Sequence, residues 1–305
     1  MQDSSQLSSF GSTISVIVPT MCQASRAKLL HRAIESICTQ CEVNLDVLIV
    51  VNGARYDQQL ITALEQDVRL RVIRLEEPNV SAARYKGVQQ ATGDFFCFLD
   101  DDDEFLPHAL SHRANIFRQY DSVDVVVTNG FEHRGGLDTP LVTPGSASEI
   151  SESPGKSFLR SNWFASPAAL FRAKSIDPEL FNFSYKYFEW TYLFFLLLSR
   201  GKRFCYDEAF SYRKYEDNPL SVSKSIEYSM AYPEFLLSLA ELHLEPGINR
   251  AIREKYLTAL NSRSVLEMQQ GSWGRAWRSH MKCLLSGGWR YLPYTRKLVI
   301  NKFQS

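Results

Sequence analysis

Ile14-Ser15-Val16-Ile17-Val18-Pro19 is a β-branched apolar run stopped by proline, and Leu29, Leu30, Ala33, Ile34 and Ile37 then recur at helical spacing. The spacing predicts a strand followed by a helix. Asp46-Val47-Leu48-Ile49-Val50-Val51-Asn52-Gly53 repeats the pattern: an unbroken apolar run, as expected of a strand covered on both faces, ending at Asn-Gly. Leu70 to Leu75 predicts a third strand, Ser81 to Ala91 a helix, and Phe95 to Leu99 a fourth strand. Strand and helix therefore alternate through the first half of the chain, the mark of an α/β, doubly wound, mostly parallel, Rossmann-like sheet. Ligands in such sheets sit at the carboxyl ends of the strands, where Pro19-Thr20, Asn52-Gly53 and Asp100 to Asp103 fall.

The second half is less regular. Val123 to Thr128 reads as a strand, and Gly130 to Gly155, rich in Gly, Pro, Ser and Thr, as a long loop or hairpin of the kind that often carries function. From Ser225 onward the pattern is helical, with no turn-rich break before Gly271 and Gly287-Gly288. Three regions follow: a short polar, Ser-rich leader over 1–12, an α/β domain over 13–223, and a C-terminal helical appendage over 224–305.

Charge changes this picture in one place. Thirty-four Lys and Arg balance 34 Asp and Glu over 305 residues, which argues against a nucleic-acid partner. Yet Met268 to Ser305 contains no acid, while Trp273, Trp277, Trp289, Tyr291, Tyr294 and Phe303 interleave with Arg and Lys. Basic and aromatic residues on amphipathic helices suit an anionic bilayer surface, or else pack as aromatics beneath a solvated basic face. No apolar stretch is long enough for a membrane span, and the start lacks the apolar core of a signal peptide. The expected location is cytoplasmic, with peripheral attachment to the inner face of the cell membrane as the further expectation. Of six cysteines only Cys38 and Cys41 are closely spaced; without a second pair, and at the end of a helix, they predict neither a zinc site nor an activated redox pair.

The chemistry concentrates at Asp100-Asp101-Asp102-Asp103-Glu104, where an apolar strand runs into five adjacent acids. Such carboxylates raise one another's pKa unless Arg, Lys or a metal neutralises them. Hard oxygen ligands without His or Cys suit Mn²⁺ or Mg²⁺, and a loosely held ion of that kind completes its shell with substrate phosphates. The plainer alternative is an acidic cap on a helix starting near Pro107. No glycine-rich phosphate loop accompanies the run: Gly155-Lys156-Ser157 ends like one, but Ile150 stands where its first glycine belongs.

In this order the segments resemble the family 2 inverting glycosyltransferases, over roughly residues 14 to 223. The resemblance is carried by Ser15-Val16-Ile17-Val18-Pro19-Thr20, Val50-Val51-Asn52-Gly53, Asn79 to Gly87, Ala91-Thr92-Gly93-Asp94, and Leu99 to Pro107. It implies a GT-A fold that binds a nucleotide-diphospho-sugar at an Asp-x-Asp metal motif, with Asp102 as metal ligand and Mn²⁺ or Mg²⁺ as the ion. Donor contacts are implied for Pro19, Thr20, Asn52, Arg84, Asp100 and Asp101. Asn52 stands where the family commonly has an acid; its amide can still meet a pyrimidine edge, which keeps nucleotide binding but leaves the base open, a UDP-sugar being the favoured donor. The resemblance assigns acceptor or diphosphate contacts to Trp163, Asp103 and Arg213, with Trp163 equally suited to the core and Arg213 to a salt bridge.

Displacement at an anomeric carbon also needs a carboxylate that accepts the proton of the acceptor hydroxyl. The family's Glu-Asp pair reads Glu189-Trp190 here, and Glu189, among aromatics, is the only acid between Glu179 and Asp207. It is the candidate base; the alternative is an N-terminal helix Glu facing the dipole. The expected activity is transfer of a sugar to a hydroxyl of a glycan or lipid-linked acceptor. The competing readings are a sugar nucleotidyltransferase and a non-catalytic nucleotide-sugar-binding protein at a membrane surface.

Overall fold

The computed structural model describes residues 11–216 and 225–296. Most of the expected leader, the end of the expected α/β domain, and Lys297, Lys302 and Phe303 of the basic tail lie outside the described residues. The chain divides into two compact units, Met1–Tyr185 with Glu189–Asp217, and Lys186–Phe188 with Asn218–Ser305.

In the first unit, β1 (Thr13–Thr20), α1 (Ala27–Cys38), β2 (Asn44–Asn52), α2 (Gln58–Gln66), β3 (Leu70–Leu75), α3 (Val80–Gln90) and β4 (Phe95–Phe98) follow the alternation predicted by the apolar pattern. The four strands lie parallel in the order β3-β2-β1-β4, with Ile17 of β1 opposite Leu48 of β2 and Phe98 of β4. From β1 the chain steps outward to β2 and β3 on one side and then returns to β4 on the other, so the crevice at the carboxyl end of β1 is the topological switch point where such sheets bind ligands. Helix α3 crosses β1 so closely that a Cβ on Gly87 would come within 2.3 Å of the Ile17 side chain. Only glycine allows that approach.

Past β4 the sheet becomes mixed. β5 (Glu104–Phe105), α4 (Ala109–Gln119), β6 (Val125–Arg134), β7 (Leu137–Pro140), α5 (Ala147–Glu152), α6 (Pro154–Arg160), β8 (Ala169–Arg172), α7 (Glu189–Ser199) and β9 (Phe204–Tyr215) complete the unit, and the full order is β3-β2-β1-β4-β8-β6-β9-β5 with β7 on β6. β8 enters antiparallel between β4 and β6, whereas β6 and β9 are parallel. The stretch expected as a long loop or hairpin holds the end of β6, a β6–β7 hairpin turning at Gly135-Gly136, both at positive φ, and the short helix α5, with α6 starting at its end. Arg113 of α4, fully buried, clamps this half together by donating to Thr128 Oγ1 at 2.9 Å, the Pro167 carbonyl at 2.7 Å and Ser211 Oγ at 2.6 Å. Burial without a carboxylate partner pushes its guanidinium down to about 10.

The second unit consists of α8 (Ile226–Ser238), α9 (Pro246–Gln269) and α10 (Trp273–Gly287). The unbroken helical run expected from Ser225 to Gly271 is interrupted over 239–245: His243 takes a left-handed conformation and Glu245-Pro246 starts a new helix. Proline at the first helical position explains the restart. Trp273 and Trp277 pack against Met268 and Ala276, while Cys283 and Tyr291 join Leu257 and Leu260. Among the described residues no helix is long and apolar enough to cross a membrane.

Candidate active site

The acidic run leaves β4 at the switch point, and the fold meets each carboxylate with a partner, Arg26 serving two of them. Asp100 accepts from Arg84 Nη2 at 3.0 Å and from Ser166 Oγ at 3.3 Å. Asp101 accepts from Thr20 Oγ1 at 2.6 Å and pairs with Arg26, whose Nη2 also lies 2.9 Å from Asp102. Asp103 accepts the Tyr215 backbone N–H at 3.1 Å, and Glu104 is paired with Arg213. Arg32 binds the Asp102 carbonyl oxygen with its guanidinium 3.5 Å above the Tyr215 ring. Of the neutralising groups the sequence leaves open, Arg, Lys or a metal, internal guanidinium groups supply much.

The run also alternates. Asp101 and Asp103 point inward and are 7% and 2% exposed. The side chains of Asp100 and Asp102 remain 33% and 30% exposed, and they are the two that face outward. Burial raises the Asp102 carboxyl, and the charge on Asp100 adds to the rise. Burial pushes Asp103 well above the usual carboxylate range, with Asp100 and Asp102 adding to it.

Arg84, bonded to Asp100, also lines a small cleft with Ser81, Phe181, Phe183, Glu189 and Trp190. Glu189 opens α7 there. Burial among these rings raises its pKa, the nearby Arg84 charge lowers it, and Asp100 adds a smaller rise; the net shift is upward. Trp190, in place of the family's second acid, packs edge-on against Phe98 and Phe164 with the Arg84 guanidinium 5.3 Å from its ring. Arg84 thus bonds Asp100 and shares the cleft with Glu189.

Of the expected donor, acceptor and diphosphate residues, Arg84, Asp100 and Glu189 come together, with Asp102 beside them on the same turn. Asn52, at the end of β2, accepts the Asn79 backbone N–H through Oδ1 and so ties β2 to the start of α3. The other expected residues lie outside this cleft. Thr20, 4% exposed, and Asp101 satisfy each other rather than facing the cleft, and Pro19 is buried within β1. Asp103 is an inward structural acceptor. Trp163 is 1% exposed, ringed by Phe158, Phe164, Phe194 and Phe204, with Nε1 on Ser157 Oγ at 3.1 Å, so it fills the core, the other of its two expected places. Arg213 is held by Glu104 and by both oxygens of Asp138 at 3.0 Å.

The sequence reading missed Arg26, Arg32 and Ser166. Nothing in the apolar pattern marks them, because their roles arise from the turn they meet in space. Cys41 is exposed with Sγ 3.4 Å from His108 Nδ1, and Cys38 is half-buried; both are free thiols. Among the described residues no three His, Cys, Asp or Glu side chains converge on one metal-sized point.

Known proteins resemble the chain in sequence and in fold. An uncharacterized glycosyltransferase of Rickettsia felis is 24% identical over 142 residues, covering 46% of this chain and 23% of its own length, so the chain spans under a quarter of that curated relative. A Campylobacter jejuni protein, GalNAc(5)-diNAcBac-PP-undecaprenol beta-1,3-glucosyltransferase, is 25% identical over 281 residues, covering 89% of this chain and 86% of its own. Staphylococcus aureus TarS 1–349 in complex with UDP-GlcNAc superposes with a TM-score of 0.59 at 16% identity, over 90% of this chain and 81% of that one, which shows a shared GT-A fold. The model of the family described as glycosyl transferase family 2 matches residues 15–169, from the second residue of the apolar run in β1 to the first residue of β8. The chain belongs to glycosyl transferase family 2.

Proposed function

We propose that the chain is a metal-dependent inverting glycosyltransferase that moves a sugar from a UDP-sugar to a hydroxyl of a lipid-linked glycan at the cytoplasmic face of a membrane. The observation that carries this reading is the pairing of two unlike carboxylates around one guanidinium: Asp100, outward at the switch point and bonded to Arg84, and Glu189, in an aromatic cleft lined by the same Arg84. One carboxylate paired with a cation and exposed, and another buried among rings, can divide binding and base work between them.

Asp100 and Asp102 fit a Mn²⁺ or Mg²⁺ ion. Both are hard oxygen donors, both are partly exposed, and burial together with Asp100 raises Asp102, a cost that a bound cation relieves. One or two carboxylates plus substrate phosphates is a usual way to hold such an ion, so a ready-made three-residue cluster is not required. Bound there, the ion supplies charge neutralisation to the departing diphosphate.

The remaining chemistry falls to side chains. Arg84 offers a guanidinium for the diphosphate, and Asn52, its carbonyl used by Asn79, offers its NH₂ to a pyrimidine carbonyl. Glu189 takes the proton of the acceptor hydroxyl as that oxygen bonds the anomeric carbon. The bond from that carbon to the diphosphate oxygen breaks, and its electron pair leaves with the diphosphate. Attack from the face opposite the leaving group inverts the carbon. Uridine as the base is supported by TarS complexes with UDP-GlcNAc and UDP. A lipid diphosphate acceptor is supported by the name of the Campylobacter relative.

Glu189→Gln tests this directly. Sugar transfer should fall by roughly 10²–10⁴-fold, the usual worth of a positioned base, while UDP affinity is retained. Unchanged transfer in Glu189→Gln would remove Glu189 from the chemistry. Absence of transfer by the parent protein across UDP-, GDP- and dTDP-sugars would favour a nucleotide-sugar-binding role instead.

A further inference from the structure

The second unit carries a basic face on α10 with no acid along the helix itself. Helix α10 turns Ala276, Ser279, His280 and Cys283 inward. Its opposite face exposes Arg275, Arg278 and Lys282. An ordinary solvated face would carry acids among these cations, but the last acid of the sequence, Glu267, is 1% exposed and already bonded to Arg263 at 3.1 Å and Ser279 at 2.7 Å.

Large apolar groups share this outward face. Met281 is 44% exposed, Leu285 82%, and Trp289, just past the helix, 84%, with the exposed Arg290 next to it. At 100° per residue Arg278, Met281, Lys282 and Leu285 fall within one third of the helix circumference, so cations and apolar groups are interleaved on one stripe. A strongly hydrated partner such as duplex nucleic acid would reward the cations and leave Met281, Leu285 and Trp289 in water. An anionic bilayer rewards both, through lipid headgroups at the surface and acyl chains just below.

We propose that the outward face of α10, continued through Trp289 and Arg290, is a docking surface for anionic phospholipid bilayers. The proposal names the surface behind the membrane location given above and rests on that reading only for its purpose; the face itself is read from charge and exposure within the second unit.

The test is sedimentation of the full chain with vesicles of phosphatidylcholine alone or with a third phosphatidylglycerol. Binding is expected only to the anionic vesicles, and raised salt should weaken it. Each cation removed should cost about fivefold in partition, so Arg278→Gln with Lys282→Gln should cost about 25-fold. Leu285→Ser with Trp289→Ser should weaken binding at unchanged charge, and circular dichroism checks that all variants fold. Equal binding to neutral vesicles, wild-type binding by the Gln pair, or binding to duplex DNA in place of vesicles would each overturn the proposal. Transfer to a short, water-soluble acceptor should be the same in the Gln pair as in the parent chain. Vesicle binding without any transfer would overturn the enzymatic reading while leaving the surface intact, so the two failures are distinguishable.

Discussion

Two regions of this chain crowd charge of one sign, and they treat it oppositely. At Asp100 to Glu104 five acids meet Arg26, Arg32, Arg84 and Arg213, reaching in from α3, β9 and from within and just before α1, and two of the acids are turned inward. On α10 the cations Arg275, Arg278 and Lys282 stay exposed in a stretch without acids. Charge matched inside the fold shapes a turn; charge left unmatched at the surface is available to an outside partner. Within the acidic turn the same contrast recurs on a smaller scale, between the inward Asp101 and Asp103 and the outward Asp100 and Asp102.

The contrast breaks most visibly on α10, where the Arg278 and Lys282 substitutions should cost about 25-fold in binding to anionic vesicles. Next comes Arg84→Gln, which removes the guanidinium between Asp100 and Glu189. Loss of one charged hydrogen bond to the donor predicts roughly a tenfold or greater drop in kcat/KM. The Arg84 charge holds the raised Glu189 pKa down, so its removal raises that pKa further. The base works deprotonated, and the acid limb of the kcat profile should therefore move to higher pH, with Arg84→Lys restoring it.

The smallest effect is expected at Asp103→Asn, measured as Tm against pH. Asp103's folded pKa is raised, so the stability tied to its neutral form is complete below its unfolded pKa and is lost as pH rises through the folded value. Asparagine removes that loss and keeps an oxygen for the Tyr215 N–H. The variant should gain roughly 1 kcal/mol, or about 2 °C, at neutral pH, and the gain should vanish near pH 4.

How much of this was legible depends on which physical signal each feature left in the chain. The parallel strands and α3 announced themselves through apolar runs and turns, and Leu70–Leu75 ends where its pattern ends. β8 gave no comparable warning, because Ala169–Arg172 is four residues long and its antiparallel place between β4 and β6 is set by tertiary pairing. The aromatic surroundings of Glu189 at the start of a helix were legible from the residues beside it in the chain. Trp163 was not, since an aromatic in a matching segment suits a sugar face and a core equally until its neighbours are known. The acidic run was visible as a problem of repulsion; its solution by Arg26 and Arg32 was not, as both lie some 70 residues or more from the acids they meet.

The division of the acidic turn into outward and inward carboxylates is tested most directly by calorimetric titration of UDP into the parent chain, Asp102→Asn and Asp103→Asn, each with and without Mn²⁺. The expected result is that Mn²⁺ tightens UDP binding about tenfold or more in the parent and in Asp103→Asn, and has no effect in Asp102→Asn. Equal Mn²⁺ dependence in Asp102→Asn and the parent, or its loss in Asp103→Asn alone, would contradict the account.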